Sequence, residues 1–463
     1  MKHSRLLTSA AAACLAAWAV TKFNKDRTDI SDTPRKRTLK KDAGKGKEEK
    51  KHILLISQYF YPETFRVNDM AAEWVKRGYK VTVLTGIPNY PMGKFFEGYG
   101  FKHRRRENWN GADVIRIPLI PRGSSSHKIL NAAGMSANYL SFVISGIRWV
   151  RKNHIHADLV YTYQVSPMTQ ALVGVCYAKK YHVPHYLYVT DLWPENVESV
   201  TGIHSQAFIR PIQKMSDYIY KNTERIFTCS QSFISRIEAR GIDRSKIEFW
   251  PQYAEEFYRP ADREGELLPQ DGIFNLVFAG SVGFAQGLDI LVKAAKLLKA
   301  EHVIVRFHII GDGRYLAQLK RNIKTARVED YFYFIPRQAA EDIPRYLAFA
   351  DALLLTLSRN DVFSMTLPAK IQSYFACARP VLVSADGEVC DIVNHAGAGL
   401  CSSAEDAAGF AENIKKIMQM DKAEQTKMGE NALAYAAKHF NKKRQMDRLD
   451  EVFADLRIRE EKQ

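Results

Sequence analysis

The chain has 463 residues, of which 46% are hydrophobic and 25% charged, with 67 Lys and Arg against 51 Asp and Glu. These proportions exclude a wholly disordered chain, a collagen-like chain and a polytopic membrane protein. The net charge of +16 favours anionic partners: phosphorylated ligands, an anionic membrane face or nucleic acid. The six cysteines form no C-x-x-C pair and no zinc spacing, a pattern typical of a reducing compartment.

The first fifty residues differ from the rest in composition. Residues 6–20 are apolar and follow Lys2 and Arg5, but the stretch is shorter than the roughly 20 residues of a spanning helix. We expect an uncleaved membrane anchor here, with a dispensable extension or a cleaved signal as alternatives. Residues 22–50 are highly charged and contain almost no large apolar residue, which predicts a disordered basic linker.

From residue 52 onward, strand and helix signals alternate. Apolar, β-branched runs at 52–57 and 80–85 flank a helical segment at 68–77, and this β–α–β unit predicts a parallel, doubly wound sheet. A second series begins at 274, so we expect two Rossmann-like halves. The other predicted strands are 113–117, 158–162, 184–189, 274–279, 303–310, 331–335, 352–356 and 380–384, and the other predicted helices are 128–152, 168–181 and 288–299.

The domain boundaries follow from this alternation. The Pro-containing polar stretch 251–270 marks the joint between the halves. We therefore expect an apolar segment plus linker at 1–50, a first domain at 51–260 and a second at 261–430. Charged helices at 431–463 are expected to pack back across the joint.

Two glycine-rich turns stand out in the second half. The run F-A-G-S-V-G-F-A-Q-G at 278–287 lies between a strand and a helix, where backbone amides and the helix dipole favour a phosphate. An ordinary tight turn is the alternative. The run I-I-G-D-G at 309–313 lacks the third glycine of G-x-G-x-x-G and is a weak dinucleotide signature. The chain has no G-x-x-x-x-G-K-[ST] loop, which argues against a P-loop NTPase.

A third segment, D-V-F-S-M-T-L-P-A-K at 361–370, combines hydroxyls, loop amides and a lysine before an apolar helix. These groups suit a diphosphate. The alternative is a capped helix with an exposed lysine.

Several motifs of the two halves occur in a characteristic order. The first half contains Q-Y-F-Y-P-E at 58–63, T-G-I-P-N-Y-P-M-G at 85–93 and D-L-W-P-E at 191–195, and the second adds the three segments above and A-C-A-R-P at 376–380. From residues 52 to 440 the chain resembles the retaining GT-B glycosyltransferases of the group 1 family. It is most similar to the bacterial branch that builds O-antigen and capsule on a lipid carrier.

The resemblance implies an α/β protein of the GT-B class, with two Rossmann-like, doubly wound parallel-sheet domains facing a central cleft. It implies a hexosyl or N-acetylaminosugar transferase that uses a nucleotide-sugar donor, by analogy UDP-linked, with retention. The implied acceptor is a polyprenyl-diphosphate-linked glycan of surface polysaccharide synthesis. The implied location is the cytoplasmic face of the inner membrane, peripheral or singly anchored.

The resemblance also assigns residues to roles. Lys370 would stabilise the leaving diphosphate, and Asp191 would orient or deprotonate the acceptor unless it is a turn aspartate. Glu195 is a weaker catalytic candidate. On the acceptor side we expect Glu63, Arg66, Asn89, Tyr90 and Trp193. The donor-binding candidates are Gly280, Ser281, Gly283, Gln286, Gly287, Gly311, Asp312, Gly313, Arg337, Ser364, Thr366, Leu367, Lys370 and Ser373.

The sequence departs from the family pattern at the donor site. Ser281 and Gln286 occupy positions where the family often has Arg and Lys, and Met365 and Ser373 occupy the positions of its two E-x7-E carboxylates. The chain has no D-x-D motif, so we expect neither a metal nor a cofactor; the nucleotide sugar is a substrate. Two alternatives stay open: a non-catalytic GT-B protein that binds nucleotide sugar, and a nucleotide-sugar epimerase.

Two basic segments suggest contact with a membrane. The helix at 128–152 has a broad apolar face and a basic end, which suits an interfacial helix, although a helix packed on the sheet fits equally well. The loop H-R-R-R at 103–106 could meet anionic headgroups, but solvated charge is the default. We expect no nucleic-acid partner, since no nucleic-acid-binding motif accompanies the diffuse charge.

Overall fold

The strands of the first half form one sheet. The computed structural model describes residues 51–123 and 128–460, and within them these strands lie in the order β3-β4-β2-β1-β5-β6-β7-β8. They are β1 (His52–Ile56), β2 (Lys80–Gly86), β3 (Arg106–Trp109), β4 (Ala112–Ile117), β5 (Leu159–Gln164), β6 (His185–Val189), β7 (Arg225–Thr228) and β8 (Ile247–Phe249).

The strands of the second half form another sheet, in the order β11-β10-β9-β12-β13-β14. Its pairs with a described register are all parallel. The strands are β9 (Phe274–Ala279), β10 (Val305–Ile310), β11 (Phe332–Ile335), β12 (Ala352–Thr356), β13 (Val381–Ser384) and β14 (Gly399–Ser402).

Helices connect the strands in both halves. In the first half they are α1 (Arg66–Lys76), α2 (Lys128–Lys152), α3 (Ala171–Tyr181), α4 (Glu195–Thr201), α5 (Gln206–Lys221) and α6 (Ser232–Glu238). In the second half they are α7 (Asp289–Ala300), α8 (Leu316–Ala326), α9 (Ile343–Ala348), α10 (Asp361–Met365), α11 (Ala369–Ala376), α12 (Glu388–Ala396), α13 (Ala407–Gln419), α14 (Lys422–His439) and α15 (Lys442–Glu460).

The chain divides into two compact units. The first unit runs to Thr228 and includes Ile234–Glu248, and the second comprises Cys229–Phe233 and everything from Phe249 onward. In each unit the strand order reverses once, between β1 and β5 in the first and between β9 and β12 in the second. Such a topological switch point is where open α/β sheets bind ligands, at the carboxyl ends of the strands.

The central strands are apolar because both of their faces are covered. Every residue of β1 is buried, and Ile53 pairs with Val81 on one side and Leu159 on the other. A parallel strand between parallel neighbours, with helices above and below, leaves no face for polar side chains. The short apolar runs in the sequence therefore predicted these strands correctly.

The edge of the first sheet departs from the prediction of a purely parallel sheet. Strand β3 pairs antiparallel with β4, and Asn110 and Gly111 join the two in a two-residue turn, both with positive φ. An Asn-Gly turn of this kind is the strongest short-range hairpin signal. The Asn-Gly pair could therefore have predicted this hairpin from the sequence. The hairpin was missed because strand β3 alternates exposed and half-buried residues and lacks the apolar run of a central strand.

The C-terminal helices belong to the second unit. Helix α14 begins with a capping box between Asp421 and Glu424, and a Cβ on its Gly429 would lie 2.4 Å from the Ala378 oxygen, so α14 packs closely on that turn. Helix α15 follows it, and the Trp250 indole donates to the Gln445 oxygen at 3.0 Å. Packing of these helices across the joint stays a prediction.

The segments proposed for membrane contact are only partly described. The predicted anchor and linker fall in residues 1–50, outside the described residues. Helix α2 buries Phe142, Val143 and Val150 while leaving Ile144 exposed. In the basic loop, Arg106 forms an ion pair with Asp113 at 2.6 Å. Over 51–123 and 128–460, no helix has the length and apolarity needed to cross a membrane.

Candidate active site

The first glycine turn of the second unit lies directly beneath Lys370. The Gly280 amide, just past β9, donates to the Ile310 oxygen at 2.9 Å. A Cβ placed on Gly280 would lie 2.5 Å from the Cε atom of Lys370. The glycine therefore makes room for the lysine stem, and two predicted donor-site residues from distant parts of the sequence meet at this point.

Lys370 is partly buried in the first turn of α11. Its ammonium donates to the Gln286 side-chain oxygen and lies 4.6 Å from the centroid of the Phe278 ring. Burial lowers the pKa of Lys370 to about 7. The charged form is therefore costly until an anion arrives, and an anion bound beside the ammonium would raise this pKa again.

The second glycine turn stacks on the first, backbone against backbone. Gly311 has φ +140°, and a Cβ on it would lie 2.0 Å from the Gly280 oxygen. A Cβ on Gly313 would similarly lie 2.2 Å from the Val282 oxygen. The exposed Asp312 side chain accepts a hydrogen bond from the Gly313 amide at 2.7 Å, so this carboxylate stabilises its own turn.

Two amides of the first turn remain available. The Val282 amide donates to the Asp312 oxygen at 2.9 Å, whereas those of Ser281 and Gly283 donate to none of the described residues. At the end of the turn, Gly287 has φ +58°, and a Cβ on it would lie 2.8 Å from the Ser358 amide nitrogen just beyond β12. The turn is thus anchored across the switch point while two of its amides stay open.

The segment at 361–368 uses its polar groups internally. The Ser364 hydroxyl donates to the Asp361 oxygen at 2.8 Å, and the Thr366 hydroxyl donates to the Val362 oxygen at 2.7 Å. The Leu367 amide donates to the Ser230 hydroxyl at 2.6 Å. These bonds occupy the groups that the sequence analysis assigned to a diphosphate, which leaves Lys370 as the prominent candidate of this segment.

Two other donor-side positions have different surroundings. Ser373 is buried within α11, so it is not on the surface.

 Arg337 is exposed and lies two residues beyond the end of β11, whose last residue, Ile335, accepts the Gly311 amide at 3.0 Å. Of these positions, Arg337 is the one that solvent reaches.

At the switch point of the second unit, a side chain binds the end of strand β9. Strands β9 and β12 pair only through Leu276 with Ala352 and Val277 with Leu353, so the last residues of β9 have no partner on that side. The Tyr374 hydroxyl, which α11 supplies, accepts the Ala279 amide at 2.9 Å. The tyrosine therefore takes the place of a neighbouring strand just before the glycine turn.

In the first unit, Glu63 joins two loops at the carboxyl edge of the sheet. The side chain is 2% exposed, and its carboxylate accepts the amides of Asn89 at 2.8 Å, Tyr90 at 2.7 Å and Phe60 at 3.2 Å. Burial raises the pKa of Glu63 to about 7, although these amides oppose the rise. Glu63 therefore positions the acceptor-side loops from beneath.

Asn89 belongs to a buried polar network that reaches the switch point. Its side-chain oxygen accepts the Arg122 amide at 3.2 Å and the Asn138 side-chain amide at 3.3 Å. Gln58 donates its side-chain amide to Asn138 at 2.7 Å and its backbone amide to Gln170 at 2.8 Å. The network connects the loops after β1, β2, β4 and β5.

The exposed part of this edge is aromatic and cationic. Tyr90 is 37% exposed, and its ring centroid lies 5.5 Å from that of Tyr59 and 5.3 Å from that of Phe65. The Arg122 guanidinium lies 5.1 Å from the Tyr90 centroid. Arg122 and Tyr59 were not among the residues predicted from the sequence; their positions in the loops after β4 and β1 were the available signal. Arg66 is the first residue of α1, which follows the loop after β1.

The D-L-W-P-E loop is fastened to the loop after β5. One carboxylate oxygen of Asp191 accepts the Ser166 amide at 2.6 Å, and the buried Trp193 indole donates to the Ser166 hydroxyl at 3.1 Å. The other Asp191 carboxylate oxygen accepts no hydrogen bond from the described residues, so it is available to a substrate hydroxyl. Glu195 begins α4, and its Oε2 atom is buried without a hydrogen-bond partner among the described residues.

Family comparisons match both halves of the chain. Residues 64–252 match the family described as glycosyl transferase 4-like domain, and residues 260–435 match glycosyl transferases group 1. Together the two matches span more than three quarters of the chain.

Individual relatives are distant, and the share of the chain that they cover varies. The putative colanic acid biosynthesis glycosyl transferase WcaI of Escherichia coli (strain K12) is 23% identical over 391 residues, covering 80% of this chain and 93% of that protein. The amylovoran biosynthesis glycosyltransferase AmsK of Erwinia amylovora is 28% identical over 135 residues, covering 29% of this chain and 33% of that protein.

Solved structures share the fold. Sucrose-phosphate synthase from Thermosynechococcus elongatus has a TM-score of 0.68 at 16% identity, covering 88% of this chain and 99% of that one. HepE from Anabaena, in complex with UDP-glucose, has a TM-score of 0.63 at 16% identity, covering 88% of this chain and all of that one. These likenesses confirm the predicted GT-B fold.

Proposed function

Since the chain belongs to the group 1 glycosyltransferases, we propose that it transfers a sugar from a UDP-sugar to a glycan carried on a polyprenyl diphosphate. In this proposal the sugar is a hexose or an N-acetylaminosugar, transfer retains the anomeric configuration, and the product enters surface polysaccharide synthesis. The names of WcaI and AmsK, which refer to colanic acid and amylovoran biosynthesis, support the pathway class. The complexes of HepE with UDP and with UDP-glucose support the donor class.

The observation that carries the proposal is the position of Lys370 over the first glycine turn. A partly buried ammonium, two open amides and a switch point coincide there. Donors held in place around a developing negative charge stabilise it more than water does, because they need no reorganisation. This arrangement suits a diphosphate that leaves as the bond from the anomeric carbon to oxygen breaks.

The proposed chemistry needs few protein groups. Lys370 and the amides of Ser281 and Gly283 stabilise the leaving diphosphate, while the sugar passes through an oxocarbenium-like transition state. The acceptor hydroxyl attacks from the face that the diphosphate leaves and gives its proton to the departing diphosphate, while the open carboxylate oxygen of Asp191 orients that hydroxyl. The proposal includes no metal, because the sequence has no D-x-D motif to bridge one to a diphosphate.

We further propose that the first unit meets the cytoplasmic face of the membrane. Large apolar side chains are exposed on it, among them Met92, Phe101, Ile120 and Ile144. The exposed Arg148 follows on the same helix as Ile144. Exposed apolar side chains with adjacent cations suit an interface with anionic headgroups. A lipid-linked acceptor would be presented at that interface.

The test measures release of nucleoside diphosphate by the full chain, across a panel of nucleotide sugars, with and without membrane lipid extract. Lys370→Met is measured beside the wild type, because methionine keeps the length of the stem and removes the charge. Lys296→Met is the matched control, since Lys296 is an exposed lysine on helix α7, the first helix after the same glycine turn.

Lipid-dependent release that Lys370→Met loses and Lys296→Met keeps would support a transferase and would identify the donor. Nuclear magnetic resonance of the product then tests retention through its anomeric configuration. Tight nucleotide binding without release from any donor would favour the non-catalytic alternative, which Met365 and Ser373 in the carboxylate positions support. Inversion of the donor sugar without release would favour an epimerase.

A further inference from the structure

The Arg122 guanidinium makes few hydrogen bonds to the described part of the protein. One terminal nitrogen of its guanidinium donates to the Met135 sulfur at 3.3 Å, and the buried Nε has no hydrogen-bond partner among the described residues. Over the described residues, no carboxylate forms an ion pair with it. A thioether is a weak acceptor, whereas a guanidinium has five N–H donors. A partly buried cation in this state is unfavourable unless a ligand completes it.

The backbone holds Arg122 in place. A Cβ on Gly134 of helix α2 would lie 2.5 Å from the Arg122 oxygen, so the helix and the loop are in close contact. The Asn89 side chain accepts the Arg122 amide at 3.2 Å, and the next amide, of Gly123, donates to the Gly93 oxygen at 3.0 Å. The guanidinium therefore projects from a loop that is held by helix α2 and by the segment from Asn89 to Gly93.

A phenol accompanies the guanidinium. Tyr59 contacts the Tyr90 ring over which Arg122 lies. Burial raises the pKa of Tyr59, and the Arg122 charge opposes the rise. The Tyr59 phenol therefore stays protonated near neutral pH and can donate a hydrogen bond.

We propose that Arg122, together with the Tyr59 hydroxyl, binds a phosphate group of the acceptor substrate. This rests on the proposed function, and it adds that the acceptor is recognised by its charged group as well as by its sugar. A phosphate offers several acceptor oxygens to a planar guanidinium and to adjacent O–H donors, and the guanidinium can bind two of them at once. The position beside Asn89 and Tyr90 places this phosphate at the predicted acceptor side.

The first experiment needs no catalytic activity. Methionine methyl groups are labelled with carbon-13, the Met135 signal is assigned with Met135→Leu, and the full chain is titrated with inorganic phosphate or pyrophosphate at constant ionic strength. We expect a saturable shift of the Met135 signal in the wild type, none in Arg122→Gln and a partial one in Arg122→Lys. Arg210→Gln, which removes an exposed guanidinium from helix α5, should behave as the wild type.

The second experiment separates an acceptor phosphate from free phosphate. For Arg122→Gln we expect the KM for a polyprenyl-diphosphate-linked acceptor to rise about 10- to 100-fold, the loss typical of a charged hydrogen bond. The KM for the donor and the rate with an uncharged alkyl-linked acceptor should not change. Tyr59→Phe should raise the same KM by a smaller factor.

Different failures have different meanings. If the wild type transfers no sugar with any donor or acceptor, the proposed function is wrong, while the Met135 titration still tests the phosphate site. A Met135 signal that ignores both anions, or moves equally in Arg122→Gln, overturns the site. A saturable shift with an unchanged acceptor KM in Arg122→Gln assigns the site to free phosphate and overturns its role in acceptor binding.

Discussion

At the switch point of each unit, a side chain accepts a backbone amide at or just beyond the end of the unit's first strand, but the two side chains differ in chemistry. In the first unit, the Gln170 side chain accepts the Gln58 amide just beyond β1, and in the second the Tyr374 hydroxyl accepts the Ala279 amide at the end of β9. In the first unit, the loops at the carboxyl edge of the sheet are held by hydrogen bonds among polar side chains around Glu63 and Asn89. In the second unit, the loops at the corresponding edge are two glycine turns whose backbones stack on each other. Substitutions should therefore damage the first edge by losing hydrogen bonds and the second by direct collision.

The largest effect is expected where the glycine backbone is tightest. Gly311→Ala places a methyl group 2.0 Å from the Gly280 oxygen at φ +140°, so the turns must separate. We expect a loss of at least about 2 kcal/mol in the free energy of unfolding and the loss of nucleotide binding. Urea denaturation and UDP titration measure the two.

Gly283→Ala is the matched control in the same pair of turns. No atom lies within 4 Å of its added Cβ, and its φ of −124° is ordinary for any residue. Its stability should therefore stay within about 0.5 kcal/mol of the wild type. Equal losses in the two variants would contradict the stacked-turn account.

The next effect concerns the charge over the turn. Lys370→Met should lower the rate of sugar transfer about 100-fold or more, as expected when one donor to a developing charge is removed. Its thermal stability should stay at or above that of the wild type, because the change removes a partly buried cation. Steady-state kinetics and thermal melts test both statements. A variant that loses activity and stability together would indicate a structural role.

In the first unit, Glu63→Gln should change the dependence of stability on pH. The pKa of Glu63 is 4.5 unfolded and about 7 folded, so between these values the folded state holds a proton that the unfolded state releases. The wild type's free energy of unfolding, relative to Glu63→Gln, should therefore fall as pH rises from 4.5 to 7. The fall should reach about 3 kcal/mol and stop above pH 7.

Denaturant titrations of both proteins at several pH values measure this difference. A difference that does not vary between pH 5 and 7 would show that the Glu63 carboxyl titrates normally. Glu63→Gln should also raise the acceptor KM, because the amides of Asn89 and Tyr90 lose part of their support.

The smallest expected effect is the uptake of a fraction of a proton when UDP binds. With a pKa of about 7, Lys370 is roughly half protonated at pH 7, and a bound diphosphate should complete its protonation. UDP binding at pH 7 should therefore take up at most about half a proton, and affinity should weaken as pH rises above 7. Calorimetry in buffers of different ionisation enthalpy measures the uptake, which Lys370→Met should lack.

The sequence predicted the fold well where one signal decided the structure. The runs at 274–279 and 352–356 were strands to the residue, because a buried parallel strand has no reason to carry polar side chains. Among the short strands, β11 (F-Y-F-I) and β13 (V-L-V-S) were predicted from their apolar runs, whereas β3, β7, β8 and β14 carry weaker runs and were missed. The resemblance supplied the GT-B class, which periodicity alone does not contain.

The candidate site was predicted less completely. Glycine turns carry a local signature, so the meeting of Gly280 with a lysine was foreseeable in kind. The internal bonds of Ser364 and Thr366 were not, because residue type does not reveal which way a hydroxyl donates. Arg122 was missed for a related reason: that no described carboxylate pairs with it is a property of the assembled loops.

At the end of β9, the Tyr374 hydroxyl takes the hydrogen bond that a neighbouring strand would otherwise accept. This affects how fast the Ala279 amide proton exchanges with solvent. The Ala279 amide is protected by a hydroxyl on helix α11, so its protection depends on how that helix is held. Lys370 occupies the same helix, one turn before Tyr374. A ligand that steadies Lys370 should therefore slow deuterium uptake at the end of β9, and Tyr374→Phe should remove that slowing. The amide at this one position reports occupancy of the neighbouring turn.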